Sequence, residues 1–346
     1  MTSVQHHDPV TAADLVGPRN LVICCDGTGN VLGNHHDTNV VKLARLCVND
    51  ARQLVYYDRG VGTASGLPAV DLRDWVSAKL SMLSGLLFGR GIYENVSQAY
   101  EFLVHNYRPG DRIFLFGFSR GAFTVRCVAG LLNTYGIVRP CAMPLLPLML
   151  RNYFAPLDQQ DKQGKRHKQQ AHKSQHRTRR GFADDVREHF TDAVGRAAEV
   201  HFIGVWDTVA SVGGLRSMSM STQPKLHGRR YRHVRHAVSE GEYRAQYEPR
   251  LYEGVERDQP IGDGDTREPS FKQVWFPGVH SDVGGSYEQA GLSDGALAWM
   301  LEELKQLPDG LHLVADPARQ PRPDPDALAH DQALVSPLWA LTGLER

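Results

Sequence analysis

The sequence predicts an α/β fold with a mostly parallel central sheet and helices on both faces. Three observations carry that expectation. Short, continuous apolar runs recur, as in strands buried on both faces. They alternate with segments whose apolar residues repeat at helical spacing. Glycine-rich loops follow several of the runs directly.

In chain order, Leu21-Val22-Ile23-Cys24-Cys25 reads as the first strand and opens into Asp26-Gly27-Thr28-Gly29-Asn30. Val40 to Cys47 has helical spacing. Gln53 to Tyr57 reads as a second strand, followed by a glycine-rich loop from Asp58 to Gly66. From Gly91 to Tyr107, Ile92, Val96, Ala99 and Leu103 form a helical stripe, closed by Pro109-Gly110-Asp111. Arg112 to Phe118 is a third strand, and a helical pattern follows it at once.

Beyond Gly136 the alternation breaks. Cys141 to Leu150 is rich in Pro, Leu and Met, and residues 161–180 hold eight Lys/Arg, three His and one acid. Residues 137–198 therefore read as a lid or a mobile basic insertion, its apolar part covering a pocket and its basic part facing an anionic surface. Val200 to Trp206 is another strand and ends at Asp207-Thr208-Val209. Gly213 to Gly264 reads as an irregular stretch on the rim of a pocket. Gln273 to Gly278 is the last strand, opening onto Val279-His280-Ser281-Asp282-Val283-Gly284-Gly285. Ser293 is placed to cap a helix with Leu297, Met300, Leu301 and Leu304 in its apolar stripe. Residues 308–346 form a proline-rich C-terminal segment. The expected organisation is one domain over residues 1–346.

The chemistry starts at Gly117-Phe118-Ser119-Arg120-Gly121. A strand, then G-x-S-x-G, then a helix is the nucleophile elbow of α/β-hydrolases. An elbow serine needs a general base and a group that orients the base. In such folds they follow in the order Ser, Asp or Glu, His, each at a strand's carboxyl end. Asp207 and His280 fit that order, with Asp282, Asp26 and Asp58 as alternative acids. Asp282, so close to His280, suits a loop-shaping role, and Asp26 a supporting one. Two N–H donors should stabilise the oxyanion: one from Arg120, the other from Gly27 or Thr28.

Four segments resemble one family: Cys25 to Asn30, Gly117 to Ala122, Gly204 to Val209, and Trp275 to Gly285. Together they resemble the DUF2235 family of α/β-hydrolases, which includes the catalytic domain of Tle1-like type VI secretion phospholipase effectors. The resemblance implies a serine esterase or phospholipase A acting on a carboxylic or phospholipid acyl ester without metal or cofactor. It carries the nucleophile to Ser119, the acid to Asp207 and the base to His280. It also implies a secretion or immunity partner, and the basic insertion is a candidate for peripheral membrane contact.

Composition sets the alternatives. The 346 residues carry 39 Lys+Arg and 39 Asp+Glu, so no global field draws nucleic acid or a membrane. The basic stretch has no interleaved aromatics, which argues against nucleic acid. Five cysteines without C-x-x-C spacing read as small buried hydrophobes, not as a disulfide frame or zinc site. No signal-type apolar segment opens the sequence, so the expected location is cytoplasmic, with signal-independent export open. Two other functions compete: a hydrolase fold that binds an acyl ligand or partner without turnover, and an aspartyl phosphatase built on Asp26. The second lacks the paired carboxylate two residues on.

Overall fold

Six strands form one sheet, in the order β2-β1-β3-β4-β5-β6. They are β1 (Asn20–Cys25), β2 (Gln53–Asp58), β3 (Arg112–Phe118), β4 (Val200–Trp206), β5 (Tyr231–Ser239) and β6 (Ser270–Phe276). All five pairings are parallel. The computed structural model describes residues 17–27, 36–60, 83–154, 180–209, 231–244, 247–252 and 270–331, and of 83–90 the backbone alone.

The apolar runs are strands because both faces of the sheet are covered. On one face, Leu21, Ile23, Leu115 and Ile203 pack against α2 (Leu83–Asn106), α3 (Arg120–Tyr135) and α4 (Leu146–Phe154). On the other, Val22, Phe114, Phe116 and Phe202 meet α1 (Asn39–Leu46) and α6 (Gly291–Lys305). The stripe of Leu297, Met300, Leu301 and Leu304 belongs to this second core. Each such side chain, fully buried, contributes about 1.5–3 kcal/mol.

Several details differ from the sequence reading. The stretch from Gly213 to Gly264 contains β5, a nearly wholly buried strand, not only irregular chain. Its pattern misleads because its polar side chains are paired. His233 meets Ser270 Oγ at 2.9 Å, His236 meets Gln273 Oε1 at 2.9 Å, and Arg235 Nε meets Glu303 Oε2 at 2.6 Å. Helix α6 starts at Gly291 without a side-chain cap; Ser293 lies inside its first turn and donates to the Ala290 carbonyl at 3.0 Å. Ala142, Leu146, Met149, Leu150, Tyr153 and Phe154 are core residues, so this apolar part of 137–198 packs inward. Much of the Cys141–Leu150 stretch expected to cover a pocket is thereby core, though Cys141 and Leu148 are exposed, and 155–179 lie outside the described residues. Cys24, Cys25, Cys47 and Cys127 are buried free thiols, whereas Cys141 is exposed. Burial pushes the Cys47 thiol up to about 12.

No helix among the described residues is by itself long and apolar enough to cross a membrane. Arg120–Tyr135 and Pro140–Phe154 reach that composition only together, across a 110° bend.

Candidate active site

The sheet order reverses between β1 and β3, which sets a crevice at their carboxyl ends. Ser119 stands there, between β3 and α3. Its φ of 58° and ψ of −122° put a non-glycine residue in a strained conformation, at a cost of about 1–3 kcal/mol. The turn is kept by close approach on both sides. A Cβ on Gly121 would lie 2.0 Å from the Cys25 carbonyl oxygen, and one on Gly117 would lie 2.5 Å from that of Gly121. Larger residues at either position would push α3 off the sheet.

Asp207 follows β4, buried completely, with a positive φ of 35°. Its Oδ1 accepts the Ser239 N–H at 3.0 Å, and its Oδ2 accepts the Ser239 hydroxyl at 2.9 Å. His280 follows β6 and, contrary to a plain loop, begins a short helix, α5 (His280–Gly284). It is 4% exposed, and Ser119 is 5% exposed. His280 Nδ1 lies 2.7 Å from Asp207 Oδ2, and Nε2 lies 2.8 Å from Ser119 Oγ. Because an ionised carboxylate only accepts, Nδ1 bears the proton and Nε2 is left to accept the serine hydroxyl. The three residues form one hydrogen-bonded line at the rim of the sheet, although Ser119 and His280 are 161 positions apart.

The supporting carboxylates are both structural. Asp282 Oδ2 accepts the Val279 and His330 N–H groups, each at 3.0 Å, and Oδ1 meets His330 Nδ1 at 2.6 Å. It shapes the turn before His280 and ties residue 330 to it. Asp26 Oδ2 accepts the Thr38 and Tyr57 hydroxyls, both at 2.9 Å. Thr38 in turn caps α1. Asp58, the remaining alternative acid, ends β2 away from His280, and its carboxyl is pushed up to about 6 by burial and by Glu94.

The two amides expected to meet an oxyanion come out unequally. The Arg120 N–H is the first amide of α3, where a helix leaves its N–H groups without intrahelical acceptors. The Gly27 N–H instead donates to Asp26 Oδ1 at 2.7 Å. The turn that brings Gly27 near the crevice also folds the aspartate back onto its amide. Thr28 lies outside the described residues. Burial lowers the Arg120 guanidinium to about 10, opposed by Tyr247.

Sequence reasoning missed Ser239, which ends the unrecognised β5, and Glu242 and Tyr247, which follow it. The Tyr247 and Phe118 rings lie 4.7 and 4.6 Å from the imidazole of His280. Among the described residues, no group of three or more His, Cys, Asp or Glu is arranged to hold a metal ion.

A parallel α/β sheet with a strained serine at the switch point, joined through histidine to a buried aspartate, has the architecture of an α/β-hydrolase. The family model described as the type VI secretion phospholipase effector Tle1-like catalytic domain matches residues 19–303, and the chain belongs to that family. An uncharacterized protein of Saccharomyces cerevisiae, YEL023C, is 30% identical over 234 residues, spanning 66% of this chain and 32% of that protein. The crystal structure of an uncharacterized protein from Pseudomonas aeruginosa aligns with a TM-score of 0.48 and 17% identity, over 89% of this chain and 49% of that one. A Tle1 effector bound to the VgrG spike of the type 6 secretion system aligns with a TM-score of 0.39 and 17% identity, over 78% and 51%. The chain thus spans about a third of the yeast relative and about half of each solved one.

Proposed function

We propose that the protein is a serine hydrolase that cleaves the acyl ester of a lipid, most favourably a phospholipid, in the manner of a phospholipase A. The single observation that supports this is the Ser119–His280–Asp207 hydrogen-bonded line, with bonds of 2.8 and 2.7 Å, beside the N-terminus of α3. Membership in a family described as phospholipase effectors supports the lipid substrate.

In the proposed reaction Ser119 Oγ attacks the ester carbonyl while His280 Nε2 takes its proton. Asp207 holds the ring and stabilises the imidazolium. The oxyanion that forms is met by the Arg120 N–H and by the positive end of α3. Collapse breaks the acyl–oxygen bond, and His280 returns the proton to the leaving alcohol. Water, deprotonated by His280, then releases the fatty acid and restores Ser119. Gly27 would join as second donor only once Asp26 Oδ1 lets go of its amide.

A fluorophosphonate probe tests the assignment. The native protein should be labelled and Ser119→Ala should not, with phospholipid hydrolysis lost in the same variant. An unlabelled native protein would point instead to a fold that binds an acyl ligand without turnover. The family description names a secretion system, so a secretion-spike partner is part of the proposal, tested by co-purification with such a protein.

A further inference from the structure

Beyond its two partners in the line, His280 is held by a second set of contacts. Its backbone N–H donates to Glu242 Oε2 at 3.2 Å. Glu242 is 1% exposed. Its carboxylate also takes the Arg244 backbone N–H at 2.9 Å and the guanidinium through Nε at 2.7 Å and Nη2 at 2.6 Å. That fork is the geometry in which arginine binds carboxylate most specifically. The Arg244 guanidinium carbon lies 4.0 Å above the ring centre of Tyr247. The Tyr247 ring, in turn, sits 4.7 Å from the imidazole. The contacts close a circuit: His280 amide, Glu242, Arg244, Tyr247, His280 ring.

From this circuit we infer that Glu242, Arg244 and Tyr247 are a positioning unit for the base, fixing the amide and the ring of His280 together. The inference rests on the assignment of His280 as the base. The base must keep its aim while its charge changes, because the proton taken from Ser119 is later given to the leaving group. Asp207 holds the ring at Nδ1, but a backbone that shifts carries the ring with it and leaves its aim that much freedom. Clamping the amide through Glu242 and the ring through Tyr247 removes that freedom. The aromatic face of Tyr247 also tolerates a cation, so the restraint survives protonation of the ring. Burial works to raise the Glu242 carboxyl, yet the bonds from Arg244 and the His280 amide outweigh it and hold the carboxyl below its usual value. The clamp is therefore charged when the site works near neutrality.

The test measures steady-state hydrolysis of a short-chain p-nitrophenyl ester by the full chain, per serine titrated with fluorophosphonate. The variants are Glu242→Ala, Glu242→Gln, Tyr247→Leu and Tyr247→Phe. Kcat per titrated serine should fall about 10- to 100-fold in Glu242→Ala and Tyr247→Leu, the range expected of a misplaced group. KM should stay within about twofold, and Tyr247→Phe should recover to within roughly threefold of the parent, whereas Glu242→Gln, whose NH2 group must face the N–H donors of Arg244 or His280, should fall with Glu242→Ala. A purely structural role would lower the number of titrated serines without changing turnover at each. If Glu242→Ala does not fold, Tyr247→Leu, at a half-buried position, decides alone. Unchanged kcat per titrated serine in Tyr247→Leu, or a loss carried by KM, overturns the inference. His280→Ala, run beside them, separates the two levels. Retained turnover there removes the base assignment and the inference with it, whereas a dead His280→Ala beside a normal Tyr247→Leu sinks the inference alone.

Discussion

The β3–α3 region and the β5–β6 region reach the same crevice by opposite means. The first is apolar: β3 is almost wholly buried and delivers Ser119 through a strained turn backed by two close-packed glycines. The second is polar: β5 is equally buried, but its Arg235, His233 and His236 are held by Glu303, Ser270 and Gln273. Ser119 is thus set by packing and backbone geometry, and Asp207 and His280 by a hydrogen-bond network. Packing fixes one atom rigidly, while a network can keep its shape as a proton passes through it.

The contrast is broken most severely where the two regions meet. Ser119→Ala or His280→Ala should remove nearly all ester turnover while leaving the melting temperature close to that of the parent. Asp207→Asn should keep the fold but cost roughly 10⁴ in kcat, because the amide turns the imidazole to the wrong tautomer. Retention of near-parental kcat would hand the acid's role to another carboxylate.

On the packing side, Gly121→Ala puts a Cβ 2.0 Å from the Cys25 carbonyl oxygen. Chemical denaturation should show a loss of about 4 kcal/mol, or no folded protein. On the network side, Arg235→Leu leaves Glu303 with Lys272 alone inside the fold. A loss of about 3 kcal/mol is expected, and it should shrink in Arg235→Leu/Glu303→Leu, measured as a double-mutant cycle. A smaller effect sharpens the same contrast at β2. The folded carboxyl of Asp58, at about 6, titrates above its ordinary value of 3.8. Between these values the folded state binds more protons than the unfolded, so stability falls as pH rises through the window. Asp58→Asn should flatten that slope in melting curves from pH 4 to 6 and raise stability at pH 7.

The same contrast explains what could be read from the sequence. Apolar strands announce themselves: β1, β3 and β4 were legible within a residue or so, and the elbow motif placed Ser119 between β3 and α3. Asp207 and His280 were legible because each follows such a strand. β5 was not, since His233, Arg235 and His236 look like solvated surface until Ser270, Gln273 and Glu303 are known to face them. Those partners lie 35 to 68 positions away from the residues they satisfy. With β5 unseen, nothing marked Ser239, Glu242 or Tyr247. The expectation for Gly27 fell short for a local reason: its amide is taken by the neighbouring aspartate.

The stretch after α6 ties the two ends of the sheet to each other. Near the strands' amino ends, the Gly310 carbonyl accepts from Asn20 at 3.2 Å and the His312 carbonyl from Gln53 at 2.8 Å. Some twenty residues on, His330 is bolted to Asp282, two positions past His280. This one segment thereby spans the sheet from the strands' amino ends to the crevice, so a substitution that loosens it at either end bears on the turn before His280.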